Sequence, residues 1–548
     1  MHNFIPPRRV PFGCYRLAVC PFQFTLFSSL ASVESMPSDF RKTVAAHRYA
    51  LFFCAVSSFG ALCYGYDNTY YTGILGMKPF INVYGEGPDG SKVLSVSFTS
   101  LTTSSIYIGD LLGALFSAHI NDRWGRRAVF WCASVCILAG GIAQIADNGI
   151  MGIIVLGRIL IGLGVGQFTV TSLLYIGEVA PAEVRGPALM TFQFLQSCSQ
   201  LVASGITQGT EALSSSASFR IPMGGLVVLP VVLFALLPFI PESPLWLLYK
   251  GNETKAIRAL ERINKSQPGY TVDKDLALYH ESLTQEQAGQ EGSSWASLVI
   301  DPIERRKTLY SAGAMFSQQV NGILFFYAYG VIFAQAIGIS QPFTISLITN
   351  ILQIFAVGAS IALGKKVPRR SNLFITTGMM FIAFIVVGGI GTMRSPNTAG
   401  QYVIVIFSYI IVVAFNFGLG PLAYTIAREM AVGRNQNKIM SVSIVIFFVT
   451  TWIISFTAPY LYTSARLGPM LGFVYAGTTI LSLLYIYFCV GETTGRTNLE
   501  IQMFFQHNVP VRAWNTHVFA DVQNIKENQD QDAQGPEVKD TAQVRQLE

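Results

Sequence analysis

About twelve stretches of mostly apolar residues divide this chain, each near the roughly 20 residues that a helix needs to cross a bilayer. Such stretches leave few choices of fold, because backbone N–H and C=O groups in lipid must bond within the segment, as they do in an α-helix. The sequence therefore predicts an all-α polytopic membrane protein with 12 transmembrane helices. We place the spans at 49–72, 96–119, 128–147, 150–173, 187–208, 219–240, 308–333, 343–364, 371–393, 400–425, 438–462 and 468–490.

Composition agrees with this class. Hydrophobic residues make up 51% of the chain and charged residues only 12%, whereas a soluble domain carries about 25% charged residues. The net charge of +6 resides in loops beside the apolar spans rather than in a basic stripe, so we expect a lipid bilayer and no nucleic acid as partner. Six of the eight cysteines lie in apolar spans, which predicts no disulfide framework.

Basic residues mark one side of the predicted membrane. They follow every second span and fill the central loop, whereas the opposite loops hold little more than Lys78, Lys92, Arg394 and Arg466. Because positive loops stay on the cytoplasmic side, we expect both termini and the central loop there. The expected segments are a cytoplasmic N-terminal segment (1–47), a six-helix half (48–241), a linker with short amphipathic helices (242–307), a second six-helix half (308–490) and a cytoplasmic tail (491–548). Translation starting at Met36 is a further hypothesis.

Arg158 lies inside an otherwise apolar stretch and is followed by Gly162, Gly164 and Gly166. Small residues at this spacing let another helix approach closely. A charge at membrane depth costs about 2.5 to 3.5 kcal/mol on insertion scales, so we expect Arg158 to face a polar interior and to pair with a carboxylate. Asp67, the only acid in the first span, is the expected partner.

Two motifs repeat between the predicted halves. Residues 121–127 after span 2 are echoed by 365–370 after span 8, and 178–185 after span 4 by 429–434 after span 10. Six spans, a long loop and six more spans therefore indicate two related halves around a central site.

These and other motifs occur in a characteristic order. They are Gly65-Tyr66-Asp67, Asp122-Arg-Trp-Gly-Arg-Arg127, Gly157-Arg158, Glu178 to Gly186, Pro241-Glu-Ser-Pro-Leu-Trp-Leu247, Gln318-Gln319 with Gly322, Gly418-Leu-Gly-Pro421 and Gly491-Glu-Thr-Thr-Gly-Arg496. From about 48 to 505 the chain resembles the sugar porter family of the major facilitator superfamily. The resemblance implies two six-helix halves and alternating-access import of a sugar (hexose, pentose or disaccharide) together with a proton.

The resemblance also implies roles for particular residues. An aspartate at Asp67 resembles the proton-coupled members, so Asp67 and Arg158 are the expected coupling pair; the alternative is a permanent ion pair that holds spans 1 and 4 together. Gln193, Gln196 and Gln200 lie on one face of span 5, and amides suit sugar hydroxyls because both groups donate and accept. The expected substrate-binding residues are Gln193, Gln200, Gln318, Gln319, Gln353, Tyr64, Tyr424 and Phe448.

Gating residues follow from the same motifs. Gly418, Gly420 and Pro421 are expected to break span 10, since proline removes a backbone donor and glycine loosens a helix; a static kink is the alternative. Charge networks that hold the linker side shut are expected from Asp122, Arg126, Glu178, Arg185, Glu429 and Arg434.

Several residues depart from the family pattern. Leu324 stands where an Asn is usual and Ala328 where a Tyr is usual, so the pocket is expected to be more apolar than that of a typical hexose carrier. Lys365 and Pro368 replace an Asp and a Gly, and Leu245 replaces an Arg, which is expected to weaken the second charge network.

Two alternatives to sugar import therefore stay open. The first is a carrier of the same fold for a non-sugar solute such as an acid, a polyol or a secondary metabolite, working as an exporter. The second is a non-transporting sugar sensor. The sequence shows no metal-ligand cluster, phosphate-binding loop or nucleophile motif, so we expect neither a cofactor nor an enzyme, and the resemblance implies a monomer in the plasma membrane.

Overall fold

The computed structural model of this protein describes residues 46–88, 92–267, 269–280, 294–363, 367–393, 397–517 and 519. The expected N-terminal segment therefore lies almost wholly outside the described residues, as does the tail beyond 519. Within the described ranges, twelve membrane helices follow one another. They are α1 (Arg48–Leu75, with a break at Ser58), α2 (Val96–Trp124), α3 (Arg126–Ala146), α4 (Met151–Val179), α5 (Ala182–Thr210), α6 (Ala217–Leu236), α7a and α7b (Pro302–Val320 and Ile323–Ala336), α8 (Pro342–Leu363), α9 (Arg369–Gly391), α10a and α10b (Thr398–Phe417 and Leu419–Met430), α11 (Gln436–Pro459) and α12 (Leu471–Cys489).

Short helices connect these elements. Lys78–Tyr84 follows α1, and Pro244–Tyr249, Glu253–Ile263 and Ser297–Ile300 lie in the linker. Glu253–Ile263 buries Ala256, Ala259, Leu260 and Ile263 on one face. Asn498–Gln506 and Val511–Ala513 follow α12.

Nine of the described helices are long and apolar enough to cross a membrane by their own composition, and α2, α5 and α7 are not among them. Helix α2 falls below this level of hydrophobicity because it carries buried hydroxyl side chains at Thr99, Ser100 and 102–105 and a buried carboxyl group at Asp110. Such residues are tolerated where a helix packs against protein rather than lipid. Helix α2 therefore buries this polar side against other helices of the bundle.

Packing divides the twelve helices into two groups. In the first half α2 and α3 pack along α4, and α1 along α5; in the second half α7a packs along α11, and α9 along α12. The two halves meet mainly where α2 packs against α11 and α5 against α8. We call the end of the bundle that carries the linker helices the linker face, and the opposite end the far face.

The glycines of α4 are contact points with two neighbours. A Cβ at Gly162 would lie 2.2 Å from the Ile106 carbonyl oxygen, and one at Gly166 would lie 2.1 Å from that of Asp110, both on α2. Gly164 faces α3, where a Cβ would lie 2.5 Å from the Ala133 carbonyl oxygen. The prediction of close helix approach is confirmed, and the alternating glycines serve two helices rather than one.

Hydrogen bonds join the halves at the far face. Thr72 on α1 donates to the Tyr327 carbonyl at 2.7 Å, and Gln335 on α7b donates to the Gly76 carbonyl at 2.9 Å. Ser100 on α2 donates to the Phe456 carbonyl at 2.6 Å. The far face is therefore held closed.

Candidate functional site

Asp67 and Arg158 form a buried ion pair between α1 and α4. The two side chains meet at 2.7 Å from Nη1 to Oδ1, and the residues are 0% and 3% exposed. Arg158 Nε also donates to the Thr102 carbonyl at 3.3 Å, and its guanidinium lies 4.3 Å from the ring centroid of Tyr71. The predicted carboxylate partner of Arg158 is confirmed, while proton coupling by this pair stays a prediction.

Helix α5 packs closely along α1 because Gly65 lets it approach. A Cβ at Gly65 would lie 2.1 Å from the Gln196 carbonyl oxygen. Asp67 is two residues further along α1, about 200° round the helix, so α1 packs on α5 with one side and pairs with Arg158 from another. On α5, Gln193 is half-buried and Gln200 is buried.

Two of the predicted amides bond to each other across the halves. Gln353 on α8 donates to Gln200 Oε1 at 2.5 Å and to Ser197 Oγ at 3.3 Å. Gln353 Oε1 has no hydrogen-bond partner among the described residues although it is buried. This amide pair therefore joins α5 to α8 at mid-membrane and leaves one acceptor free.

Gln318 and Gln319 lie at the end of α7a, where the helix breaks. Gly322 has φ +77°, and a Cβ there would lie 2.2 Å from the Tyr475 ring. Gln318 donates to the Gly420 carbonyl at 2.5 Å, and its own Oε1 is buried without a partner in the described part of the chain. Gln319 is buried next to it.

The break in α10 occurs at Gly418, which ends α10a and precedes α10b. A Cβ at Gly418 would lie 2.0 Å from Thr376 Oγ1, so a larger residue does not fit. Gly420 and Pro421 follow in the first turn of α10b, and the Gln318 side chain donates a hydrogen bond to the Gly420 carbonyl. The predicted break at Gly418 is confirmed, and movement at this break stays a prediction.

Aromatic side chains surround these amides. The Tyr424 ring lies 5.7 Å from Phe447, and Phe447 lies 5.0 Å from the buried Phe448. Tyr424 and the half-buried Tyr64 come from different halves, and their hydroxyl groups lie within electrostatic range of each other. These three predicted aromatic residues therefore lie where the halves meet.

The second half adds an apolar wall and a cavity. Leu324 and Ala328 are buried on α7b. A small pocket lies between α1, α7b, α8 and α10a, lined in part by Thr69, Tyr327 and Asn350. Tyr327 accepts a hydrogen bond from Asn416 at 2.5 Å, so its hydroxyl is oriented before any ligand arrives.

At the linker face of the first half, Arg126 pairs with Glu178. The two contacts measure 2.5 Å and 2.9 Å, and the side chains are 10% and 7% exposed. Glu242, directly after α6, accepts from the backbone N–H groups of Arg126 at 2.9 Å and Arg127 at 3.2 Å. Burial raises the pKa of Glu242, while these N–H donors and the Arg126 charge lower it. Gly125 has φ +90°, and a Cβ there would lie 2.6 Å from Glu242 Oε2.

The second half repeats this arrangement. Arg369 pairs with Glu429, with side chains 21% and 19% exposed, and Glu492 accepts from the backbone N–H groups of Arg369 at 3.0 Å and Arg370 at 3.1 Å. Glu242 and Glu492 were not among the predicted gating residues. Their signal in the sequence is an acid at the same place in Pro241-Glu-Ser and Gly491-Glu-Thr, after the last helix of each half.

Other predicted gating residues lie apart from these networks. The Asp122 side chain is exposed, and the backbone carbonyl of this residue accepts from Trp246 at 3.2 Å. Arg434 pairs with Asp301 at 3.4 Å, not with Glu429. The side chain of Arg185 lies outside the described part of the structure.

Comparison with known proteins decides the family. Residues 53–505 match the family model described as "Sugar (and other) transporter". The chain belongs to this transporter family. It is 27% identical over 467 residues to the low-affinity glucose transporter HXT1 of Saccharomyces cerevisiae, covering 83% of this chain and 81% of that one. It is also 25% identical to the high glucose sensor RGT2 of the same yeast, covering 88% of this chain and 64% of that one.

Solved structures show the fold of this family member. The inward-open conformation of the xylose transporter XylE from E. coli matches with a TM-score of 0.68 at 20% identity, over 83% of this chain and 99% of that one. XylE bound to 6-bromo-6-deoxy-D-glucose, described as a major facilitator superfamily proton:xylose symporter, matches with a TM-score of 0.66 at 20% identity, over 84% of this chain and 100% of that one. The chain therefore has the twelve-helix major facilitator fold, as predicted.

Proposed function

We propose that this chain imports a sugar together with a proton by alternating access. The observation that carries the proposal is the buried Asp67–Arg158 pair, whose helix α1 also packs closely on the glutamine-bearing helix α5 at Gly65. A carboxyl group at membrane depth binds or releases a proton according to whether a cation lies beside it. Movement of Arg158 relative to Asp67 then links proton binding to the position of the helices.

Sugar recognition is assigned to the surrounding amides and rings. Gln318 and Gln353 each present a buried carbonyl oxygen without a partner among the described residues, and a sugar hydroxyl supplies the missing donor. Tyr64, Tyr424 and Phe448 present ring faces for the C–H side of a pyranose. Gln193, Gln200 and Gln319 complete the proposed site, and the names of the relatives support a sugar as substrate.

We assign the change between outward-open and inward-open states to the charge networks of the linker face and to the break in α10. The Arg126–Glu178 and Arg369–Glu429 pairs each lie within one half, while hydrogen bonds between the halves close the far face. The linker face is taken as cytoplasmic because it collects the basic residues, so the structure corresponds to a state closed to the outside. Gly418, Gly420 and Pro421 let α10b move against α10a.

The remaining assignments follow from this proposal. The chain acts as a monomer in the plasma membrane with both termini in the cytoplasm, and it carries its solute unchanged rather than catalysing a reaction. Asp122, Arg185 and Arg434 join the linker-face network in another state of the cycle.

The test is uptake of labelled glucose and xylose by a hexose-transport-deficient yeast that expresses this chain. We expect uptake that is faster at acidic than at alkaline pH, that an uncoupler abolishes, and that Asp67→Asn converts to passive exchange. Asp273→Asn, which makes the same chemical change at an exposed linker position, serves as the control. Uncoupler-resistant uptake that is equal in both variants would contradict proton coupling.

A second candidate is a carrier for a less hydroxylated solute, favoured by the buried apolar side chains of Leu324 and Ala328. Each replaces a polar side chain that the family resemblance implies at that position. Here the expected result is that correctly localised protein moves no sugar but does move an acid, a polyol or a secondary metabolite in the same assay. A sensor of the RGT2 kind would move no solute and would change transcription of sugar-responsive genes instead.

A further inference from the structure

A second carboxyl group lies deep in the first half and takes no part in the ion pair described above. Asp110 on α2 is 1% exposed. Its Oδ1 is buried without a hydrogen-bond partner in the part of the chain that the structure describes. Buried charges are normally paired, because an isolated carboxylate loses its hydration without compensation. Asp110 therefore requires a specific explanation.

The register of α2 against α4 places Asp110 relative to the ion pair. Arg158 contacts the Thr102 carbonyl, Gly162 packs on Ile106, and Gly166 packs on Asp110. Helices α2 and α4 therefore run parallel, and successive contacts between them are one helical turn apart. Asp110 lies eight residues beyond Thr102, which is about 12 Å along α2 toward the linker face.

The charged and titratable groups around Asp110 come from three helices besides its own. Asp67 and Tyr64 lie within electrostatic range from α1, Arg158 from α4 and Tyr424 from α10b, together with Tyr107 on α2 itself. Arg158 is the one cation among these groups, and its Nη1 is already bound to Asp67. The site thus holds two carboxyl groups for one guanidinium.

Charge balance then determines how many protons the site holds. With both carboxyl groups ionised and Arg158 charged, the three groups carry a net charge of minus one at membrane depth, whereas one bound proton makes them neutral. The carboxylate beside Arg158 is stabilised in its ionised form, and the carboxyl without a cation is stabilised in its neutral form.

We propose that Asp110 is a second proton-binding group of the transport cycle and holds the proton whenever Arg158 is bound to Asp67. The proposal rests on the function proposed above and adds a group to its coupling machinery. Because Asp110 lies on the linker-face side of the ion pair and within range of Tyr64 and Tyr424, the proton leaves to water from the same region in which the solute is released. When Arg158 leaves Asp67 and approaches Asp110, Asp110 releases its proton to water and the Asp67 carboxylate becomes the acceptor for the next one, so the three groups stay neutral.

The test separates proton binding from transport. Infrared difference spectra of purified protein, recorded between neutral and alkaline pH, report the C=O stretch of a protonated carboxyl without any solute. We expect this band in the wild type and in the exposed control Asp273→Asn, and its loss in Asp110→Asn. In Asp67→Asn the band should weaken, because Arg158 then has Asp110 as the one carboxyl left among these groups to balance its charge. Asp110→Glu keeps a carboxyl and is expected to keep a band at a shifted frequency.

Transport by the same variants supplies the second readout. We expect Asp110→Asn to retain exchange of labelled for unlabelled sugar across vesicles and to lose sugar-driven proton uptake. A band that persists unchanged in Asp110→Asn overturns the inference, because the proton then resides on another carboxyl group such as Asp67. If the band behaves as expected but no sugar moves, the proposed function fails and the proton site stands.

Discussion

The interiors of the two halves differ in chemistry although their helices are arranged alike. At the centre of the first half lie three buried ionisable side chains, Asp67, Arg158 and Asp110. At the helix breaks of the second half the buried polar groups are amides, with Gln318 bonded at the α10 break and Asn416 bonded to Tyr327, and the buried Lys307–Glu304 ion pair lies near the start of α7a. Protons bind to carboxyl groups and hydroxyls bond to amides, so under the proposed function the coupling groups come from the first half, whereas the amides for the solute come from both.

At the linker face the two halves are alike instead: residues that differ in sequence form the same pattern of ion pairs and hydrogen bonds in each half. Residues 122–127 and 367–370 share little beyond paired arginines, yet Arg126 and Arg369 each pair with a glutamate from the fourth helix of their half. Glu242 and Glu492 each accept two backbone N–H groups. The second ion pair is more exposed than the first, so water screens it more strongly.

The largest loss of stability and transport is expected when the buried Asp67–Arg158 ion pair is broken. Arg158→Gln leaves Asp67 buried without its cation, which we expect to cost about 3 to 5 kcal/mol of unfolding free energy and to abolish uptake. Asp67→Asn combined with Arg158→Gln removes both charges and should recover most of the stability but not the coupling. Denaturation of the purified protein measures both.

Arg258→Gln, at an exposed position of the linker helix, is the matched control for this experiment. If Arg158→Gln is no less stable than Arg258→Gln, the buried pair does not contribute as described.

Loss of the arginine should destabilise the protein more in the first linker-face network than in the second. Arg126→Gln removes two bonds to Glu178 and one to the Asn121 carbonyl, and we expect a loss of about 3 kcal/mol. Arg369→Gln should cost about 1 to 2 kcal/mol because its pair is more exposed. The shifts in melting temperature of the two variants, compared at low and high salt, measure the difference. Equal losses would mean that the two networks are equivalent despite their exposure.

A smaller effect is expected at the helix breaks of the second half. Gly322→Ala places a Cβ against Tyr475 at a positive φ, and Gly418→Ala places one against Thr376. Each should cost about 1 to 3 kcal/mol through overpacking and should slow transport. Gly358→Ala, where no atom lies within 4 Å of the new Cβ, should leave melting temperature and uptake unchanged. Transport at the wild-type rate in all three variants would argue against a role for these breaks.

The smallest effect is expected at Leu324, a buried apolar side chain of α7b. Leu324→Asn supplies an amide for a sugar hydroxyl, and we expect sugar affinity to rise by about 1 kcal/mol, or roughly fivefold. Leu324→Met keeps this position apolar and is the control. Competition of unlabelled sugars against a labelled one measures the change. Weaker sugar binding in Leu324→Asn would favour the less hydroxylated solute.

Much of this architecture could be predicted from the sequence. Apolar stretches predicted twelve helices, including α2, α5 and α7, whose polar residues make them weak spans by composition. Arg158 among apolar residues predicted a buried partner, and Asp67 is that partner. These inferences succeed because the cost of polar groups in lipid depends on residue type and position along one helix.

Only the tertiary structure decided which side chains meet across helices. Asp110 is the only acid in the predicted second span, but its separation from any hydrogen-bond partner among the described residues is visible only when α2 is set in register against α4. Likewise, the Gln353 bond to Gln200 and the Glu242 and Glu492 contacts join residues more than a hundred positions apart. Span positions follow from local hydrophobicity, whereas helix rotation and register depend on close packing at glycines such as Gly65 and Gly166, which no single helix determines.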